Sequence, residues 1–166
     1  MDDNNGDIHL DFNTLSNLRL MEKVIKESVR LWGINFFDRT CTKEYFIPEL
    51  NFTVPKGMHV TIAGGKIMQD EKNFPNPLDF DPEGHFDSNN FFVPNFIGFG
   101  QGPRQCIGMR LAYTMMRTAM VHTLYNFKVV PGPKTKKEWT FQPRVPGGID
   151  KDEIFVRLEK RDNFCQ

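Results

Sequence analysis

Apolar residues begin to recur at helical spacing near Thr14, where Leu18, Met21, Ile25, Ser28 or Val29, and Trp32 fall on one stripe. The stripe predicts an amphipathic helix over residues 14–31, ended by Gly33 and preceded by a polar lead-in over 1–13 that frays. Glu27 and Arg30 sit three apart on the face opposite the stripe, and a helical wheel alone makes them a solvated pair. Residues 33–47 turn from apolar to charged. Phe52-Thr53-Val54 and residues 59–62 then alternate around a Pro55-Lys56-Gly57 turn, which predicts a hairpin with His59 exposed. From 73 to 98 neither period survives, because Pro75, Pro77, Pro82 and Pro94 interrupt it, while the aromatics at 74, 80, 86, 91, 92 and 96 argue against disorder. Ala112, Met115, Met116, Ala119, Met120 and Thr123 share one face of a helix over about 108–126, read as core, with Arg110 and Arg117 on the opposite face, either solvated or meeting an acidic partner protein. A strand over 127–130, a Pro131-Gly132-Pro133 turn, a charged bend over 134–138, a tight turn at Gly147-Gly148 and an alternating strand over 154–158 complete the chain.

Composition narrows this picture. At 166 residues the chain has the size of one domain, and 21 basic against 21 acidic residues leave no basic excess for nucleic acid. Cysteines at 41, 106 and 165 are too few and too scattered for a disulfide framework, which fits a reducing compartment. The first twenty residues are polar, so the expectation is a chain without an anchor of its own. No internal repeat or low-complexity tract stands out.

The chemistry concentrates in Phe99-Gly100-Gln101-Gly102-Pro103-Arg104-Gln105-Cys106-Ile107-Gly108. A cysteine just ahead of a long helix meets backbone N–H groups, here those of Ile107 and Gly108, and the positive end of the helix dipole, both of which favour the metal-binding thiolate. Gly100, Gly102 and Gly108 let the backbone approach something flat and bulky, and Pro103 fixes one φ. Arg104 suits an anionic group on that ligand, and Phe99 is placed to pack beneath the sulfur. With no second cysteine or histidine at zinc spacing, haem with an axial cysteine is the leading metal reading. A dinucleotide loop is rejected, since Pro103 stands where the third glycine belongs.

These ten residues match the F-x-x-G-x-R-x-C-x-G signature of the haem-thiolate monooxygenases, and the chain resembles the C-terminal portion of an animal microsomal cytochrome P450. The resemblance covers about 14–160 and implies a mixed α+β, mainly α fold, with residues 1–166 forming one partial, haem-binding domain. It makes Cys106 the axial ligand of haem b (iron protoporphyrin IX), with Phe99, Gly100, Gly102, Arg104, Ile107, Gly108 and Ala112 around the macrocycle. Glu27-Ser28-Val29-Arg30 matches the family's E-x-x-R, a core pair bracing the cysteine loop, so a second layer of protein is expected over its polar face. Lacking that layer, the chain alone is expected to be marginally stable. Gly33 stands where the family has a proline, and the P-E-R-F core of the family's meander appears as Pro82-Glu83-Gly84-His85-Phe86, with His85 in place of an arginine donor. Arg39 is placed either at a haem propionate or on the surface. Ile34, Asn35 and Phe37, with Val145 and Ile149, are placed at a substrate pocket or in ordinary core. The implied reaction inserts one oxygen atom from O2 into a lipophilic substrate. Electrons come from an NADPH-dependent reductase, with cytochrome b5 as a further donor, at the endoplasmic reticulum membrane, held there by an anchor upstream of residue 1. The alternatives are a truncated, non-catalytic haem-binding or interaction protein, and a small domain in which Cys106 is merely structural.

Overall fold

The structure is a computed structural model and describes residues 11–33, 36–86, 93–136 and 154–161. Ile34, Asn35, Val145 and Ile149 lie outside these residues, as does the turn at Gly147-Gly148.

The first helix differs from the continuous one that the apolar stripe predicts. Asp11 caps α1 (Phe12–Ser16) by accepting the Thr14 N–H at 2.6 Å, and Asn17 ends it before α2 (Arg19–Trp32) begins. An Asp and an Asn compete with the backbone for hydrogen bonds, and this breaks a stripe that hydrophobicity alone carries through. Residues 11–13 are therefore cap and first turn, not a frayed lead-in. On α2, the buried side is Ile25, Lys26, Glu27 and Arg30, so the burial does not follow the apolar stripe.

Residues 37–62 form one antiparallel ribbon with a single register. β1 (Phe37–Thr40) pairs with β4 (His59–Ile62), and β2 (Tyr45–Ile47) pairs with β3 (Phe52–Val54). The predicted hairpin of residues 52–54 with 59–62 is thus incorrect, since these are two parts of one returning strand. The tip lies at Pro48–Leu50, closed by Asn51 in the left-handed region at φ 45°. Pro55-Lys56-Gly57 is an interruption along the strand, where the Gly57 N–H donates to Cys41 O at 2.7 Å and the Cys41 N–H to Met58 O at 2.8 Å. Tyr45-Phe46-Ile47 ahead of Pro48 was the local strand signal for the true tip.

After α3 (Gly64–Met68) the chain runs without regular structure to α4 (Pro82–His85), whose N-terminus Asp81 caps by accepting the Gly84 N–H at 2.8 Å. Met68, Phe74 and Phe86 form the core there, with Val93, Phe96 and Ile97 packed on it. The long α5 (Met109–Asn126) leads directly into β5 (Phe127–Val130), which pairs antiparallel with β6 (Arg157–Lys160); the terminal strand starts later than its alternating residues suggest. No residue of α5 is fully buried, and Met115 on its methionine face is 63% exposed. Among the described residues α5 meets α1, α2 and β5, and these cover only part of its circumference. Small antiparallel sheets beside helices make the chain mixed α and β, and no described helix is long and apolar enough to cross a membrane.

Candidate functional site

The cysteine loop is held by its own backbone. The Gly100 N–H donates to Ile97 O at 2.8 Å, the Gln105 N–H to Gly102 O at 3.0 Å, and the Cys106 N–H to Phe99 O at 2.9 Å. Two tight bends make this possible, since Gly100 and Gly102 both sit at φ 75°, where a side chain is strained. Pro103 stands in the first turn of the short 3-10 segment Gly102–Arg104, and Gly108 precedes α5.

Neighbouring elements clamp the loop from two sides. A Cβ on Gly98 would lie 2.4 Å from Val29 Cγ1 of α2, and one on Gly100 would lie 3.5 Å from Phe37 Cε1 of β1. Gly98 is a site residue that the motif does not mark, and the close approach to α2 is what requires it. Phe37, read from sequence as a pocket residue, is half-buried at the cysteine loop. Arg39 falls on the same face of β1, two residues on, and is exposed, with Nη1 donating to Asp38 O at 2.8 Å.

Cys106 is exposed, as are Arg104 and Ile107. Phe99 does not shield the sulfur: its ring packs on Tyr113 of α5, with centroids 5.2 Å apart. From Gly108, around which nothing would meet a Cβ within 4 Å, one face of α5 continues through half-buried Ala112 to Met115 and Met116. An exposed thiol therefore stands at the end of an open, largely apolar helix face. Among the described residues no three His, Cys, Asp or Glu side chains gather as a metal cluster. Cys106 supplies one thiol donor, and a flat apolar macrocycle bearing anionic groups fits both that donor and the glycine-lined backbone beside it.

The helix that meets Gly98 through Val29 also carries a buried charge cluster. Glu27 and Arg30 are fully buried, with Arg30 Nε donating to Glu27 Oε2 at 2.7 Å and Nη2 to Oε1 at 2.9 Å. Glu27 Oε1 also accepts the Asp81 N–H at 2.9 Å and lies 2.9 Å from His85 Nδ1. Arg30 donates further to the carbonyls of Met68, Pro77 and Asp79 at 2.9, 2.6 and 3.1 Å. Burial pushes the Glu27 carboxyl up, but hydrogen bonds from Arg30, the Asp81 N–H and His85, together with the Arg30 charge, outweigh it and hold the group below the ordinary carboxylate range. The cover over this polar face comes from residues 68–85 of the same chain, which removes the reason for expecting marginal stability.

A second ionic link ties α2 to α5. Arg117 Nη2 lies 2.7 Å from Glu22 Oε2, and Lys26 Nζ lies 2.9 Å from Glu22 Oε1, with all three side chains nearly buried. Arg117 also stacks over the Tyr113 ring at 5.3 Å. Its solvated placement is thereby corrected: helix packing, which the wheel does not contain, turns it inward. Burial and the Glu22 charge push the Tyr113 phenol above its ordinary range, against the opposing pull of Arg117. Arg110 is exposed.

Known proteins match this arrangement. The family model for Cytochrome P450 matches residues 2–152. The chain is 32% identical over 153 residues to "Probable cytochrome P450 6d2" of Drosophila melanogaster, covering 90% of this chain and 30% of that protein. It is 36% identical over 158 residues to "Probable cytochrome P450 28a5" of the same organism, covering 90% and 31%. With "Cytochrome P450 9e2" of Blattella germanica it shares 36% identity over 172 residues, covering 98% and 31%. The chain thus spans about 30% of the length of the curated relatives it matches. A thiol presented on a glycine-bent loop, a buried Glu-x-x-Arg pair on α2 and a match across most of its length lead to one assignment: the chain belongs to the cytochrome P450 family.

Proposed function

We propose that residues 1–166 form one partial domain, the C-terminal haem-binding part of a monooxygenase, with Cys106 as axial ligand. The observation that carries this reading is an exposed Cys106 on a loop locked by its own backbone bonds and clamped between α2 and β1. Haem b is the family's cofactor, and thiolate ligation favours O–O cleavage, so that one oxygen atom of O2 enters a lipophilic substrate.

This chain's own residues supply position and surroundings. Gly100, Gly102 and Gly108 keep the backbone low beside the macrocycle, Ile107 and Ala112 add apolar contact that excludes water from the sulfur once the cofactor is in place, and Phe99 sets the loop against Tyr113 of α5. Arg104 and Arg39 are the guanidinium groups that suit the propionates. The Glu27–Arg30 pair, with His85 in the third position, fixes the floor against which the loop is set. Phe37, with Ile34, Asn35, Val145 and Ile149, is assigned to the substrate side. An NADPH-dependent reductase and cytochrome b5 are the electron donors in this reading, at the cytosolic face of the endoplasmic reticulum membrane.

Haem titration of the purified chain, then reduction under carbon monoxide, tests the assignment. The expected result is a strongly red-shifted Soret band that Cys106→Ser abolishes. Haem binding that Cys106→Ser leaves unchanged would remove Cys106 from the site, and no binding at all would place the chain with non-catalytic, truncated forms.

A further inference from the structure

Phe99 stands between two glycines, and its carbonyl accepts the Cys106 N–H at 2.9 Å. Gly98 and Gly100 impose little on the backbone around it, so where that carbonyl points depends on what holds the Phe99 side chain. The ring rests on Tyr113, with centroids 5.2 Å apart and planes inclined by 44°. Tyr113 in turn carries the Arg117 guanidinium over its ring at 5.3 Å, and Arg117 Nη2 donates to Glu22 Oε2 at 2.7 Å. Lys26 Nζ, 2.9 Å from the other Glu22 oxygen, keeps the carboxylate in place. Glu22 and Val29 are two turns apart on α2, hence on one side of it, and Val29 is the residue that a Cβ on Gly98 would strike at 2.4 Å. The same side of α2 therefore reaches two adjacent loop residues, Gly98 by direct contact and Phe99 through Arg117 and Tyr113.

We propose that Glu22, Arg117 and Tyr113 form a strut that fixes the direction of the Phe99 carbonyl and, through it, the place at which Cys106 presents its thiol, so that Tyr113 and Arg117 are positioning residues of the cysteine loop. The consequence for haem rests on the reading of Cys106 as axial ligand; the strut itself does not.

This ionic face of α2 is separate from the one that Glu27 and Arg30 turn towards residues 68–85, and it lies outside the E-x-x-R and cysteine-loop signatures except at Phe99. Burial and the Glu22 charge keep the Tyr113 phenol above its ordinary range, so the ring facing Arg117 is neutral and its face attracts a cation. Arg117 is nearly buried and its Nε has no hydrogen-bond acceptor among the described residues, so Glu22 and the ring are the contacts that orient it. A lysine would form the ion pair but lacks the flat group that stacks. Cys106 itself is exposed, so packing around the thiol does not position it; the bonds and contacts of residues 97–100 do.

Amide hydrogen exchange of the 15N-labelled chain tests the strut without haem. The Cys106 N–H reports its bond to Phe99, and the Asp81 N–H, bonded to Glu27 on a different side of α2, reports the rest of the fold. Tyr113→Leu should accelerate exchange at Cys106 by about tenfold relative to Asp81, whereas Tyr113→Phe, which keeps the ring, should stay within about twofold of the unaltered chain. Unchanged exchange at Cys106 in Tyr113→Leu overturns the strut, and so does equal acceleration at Cys106 and Asp81, since general destabilisation moves both. If Tyr113→Leu does not fold, Glu22→Gln, which keeps its shape and loses the charge that holds Arg117, decides by the same comparison, with faster exchange at Cys106 expected. In the haem-loaded chain reduced under carbon monoxide, Tyr113→Leu should lower the share of the red-shifted Soret band and Tyr113→Phe should keep it. Equal shares in these two variants overturn the positioning of Cys106. A chain that takes up no haem fails the axial-ligand reading alone, and the exchange comparison still decides the strut.

Discussion

Replacing Glu27 by Gln tests whether the buried cluster holds the fold together. The substitution preserves shape, yet it removes the charge and sets an amide N–H2 against Arg30 or His85, where the carboxylate accepts from four donors at 2.7–2.9 Å. Both carboxylate oxygens are out of water, and Glu27 and Arg30 are 0% exposed, so solvent does not replace the lost partner. Breaking a buried pair in this way costs about 3–5 kcal/mol, against a total of about 5–15 kcal/mol for an ordinary domain. Urea unfolding followed by far-ultraviolet circular dichroism should therefore show Glu27→Gln with a midpoint lower by on the order of 2 M, or already unfolded in buffer. A loss below about 1 kcal/mol, the value of an exposed pair, would refute the reasoning. Removing both partners should not rescue the chain, because the carbonyls of Met68, Pro77 and Asp79 and the Asp81 N–H would each lose a buried partner. Acid provides an independent check. The folded chain holds Glu27 below the ordinary carboxylate range, so this contribution is present above that range and is lost progressively as pH falls below it. Glu27→Gln should flatten the acid limb of the stability curve.

Gly98→Ala should destabilise the chain by about 1–3 kcal/mol in the same assay, because the new methyl meets Val29 Cγ1 at 2.4 Å. Gly108→Ala, with open space around its Cβ, should stay within about 0.5 kcal/mol of the unaltered chain, and equal effects at the two glycines would contradict the clamp between the cysteine loop and α2. Arg117→Ala should cost about 1–3 kcal/mol by removing the link from α5 to Glu22 of α2, which keeps only Lys26 on its own helix, whereas exposed Arg110→Ala should change stability by no more than about 0.5 kcal/mol. Similar unfolding midpoints for these two variants would return Arg117 to the solvated face.

Local chemistry was legible wherever a feature depends on residues close in sequence. The glycines and proline around Cys106 declare a bent loop, the unbroken run after Gly108 declares a long helix, and Pro75, Pro77 and Pro82 rule out a long helix or strand through them. Even local reading failed where polar caps overrule hydrophobic period, as at Asp11 and Asn17, or where a turn signal is used inside a strand, as at Pro55-Lys56-Gly57. What the tertiary structure decided is which charges leave water. A wheel sends Glu27, Arg30 and Arg117 outward because it knows only their own helix. Their burial depends on acceptors and donors that arrive from far along the chain: the carbonyls of 68, 77 and 79, the N–H of 81, the ring of 85, and Glu22 across to α5. A charge is stable inside only when such partners converge on it, and convergence is a property of the folded chain that no single segment carries.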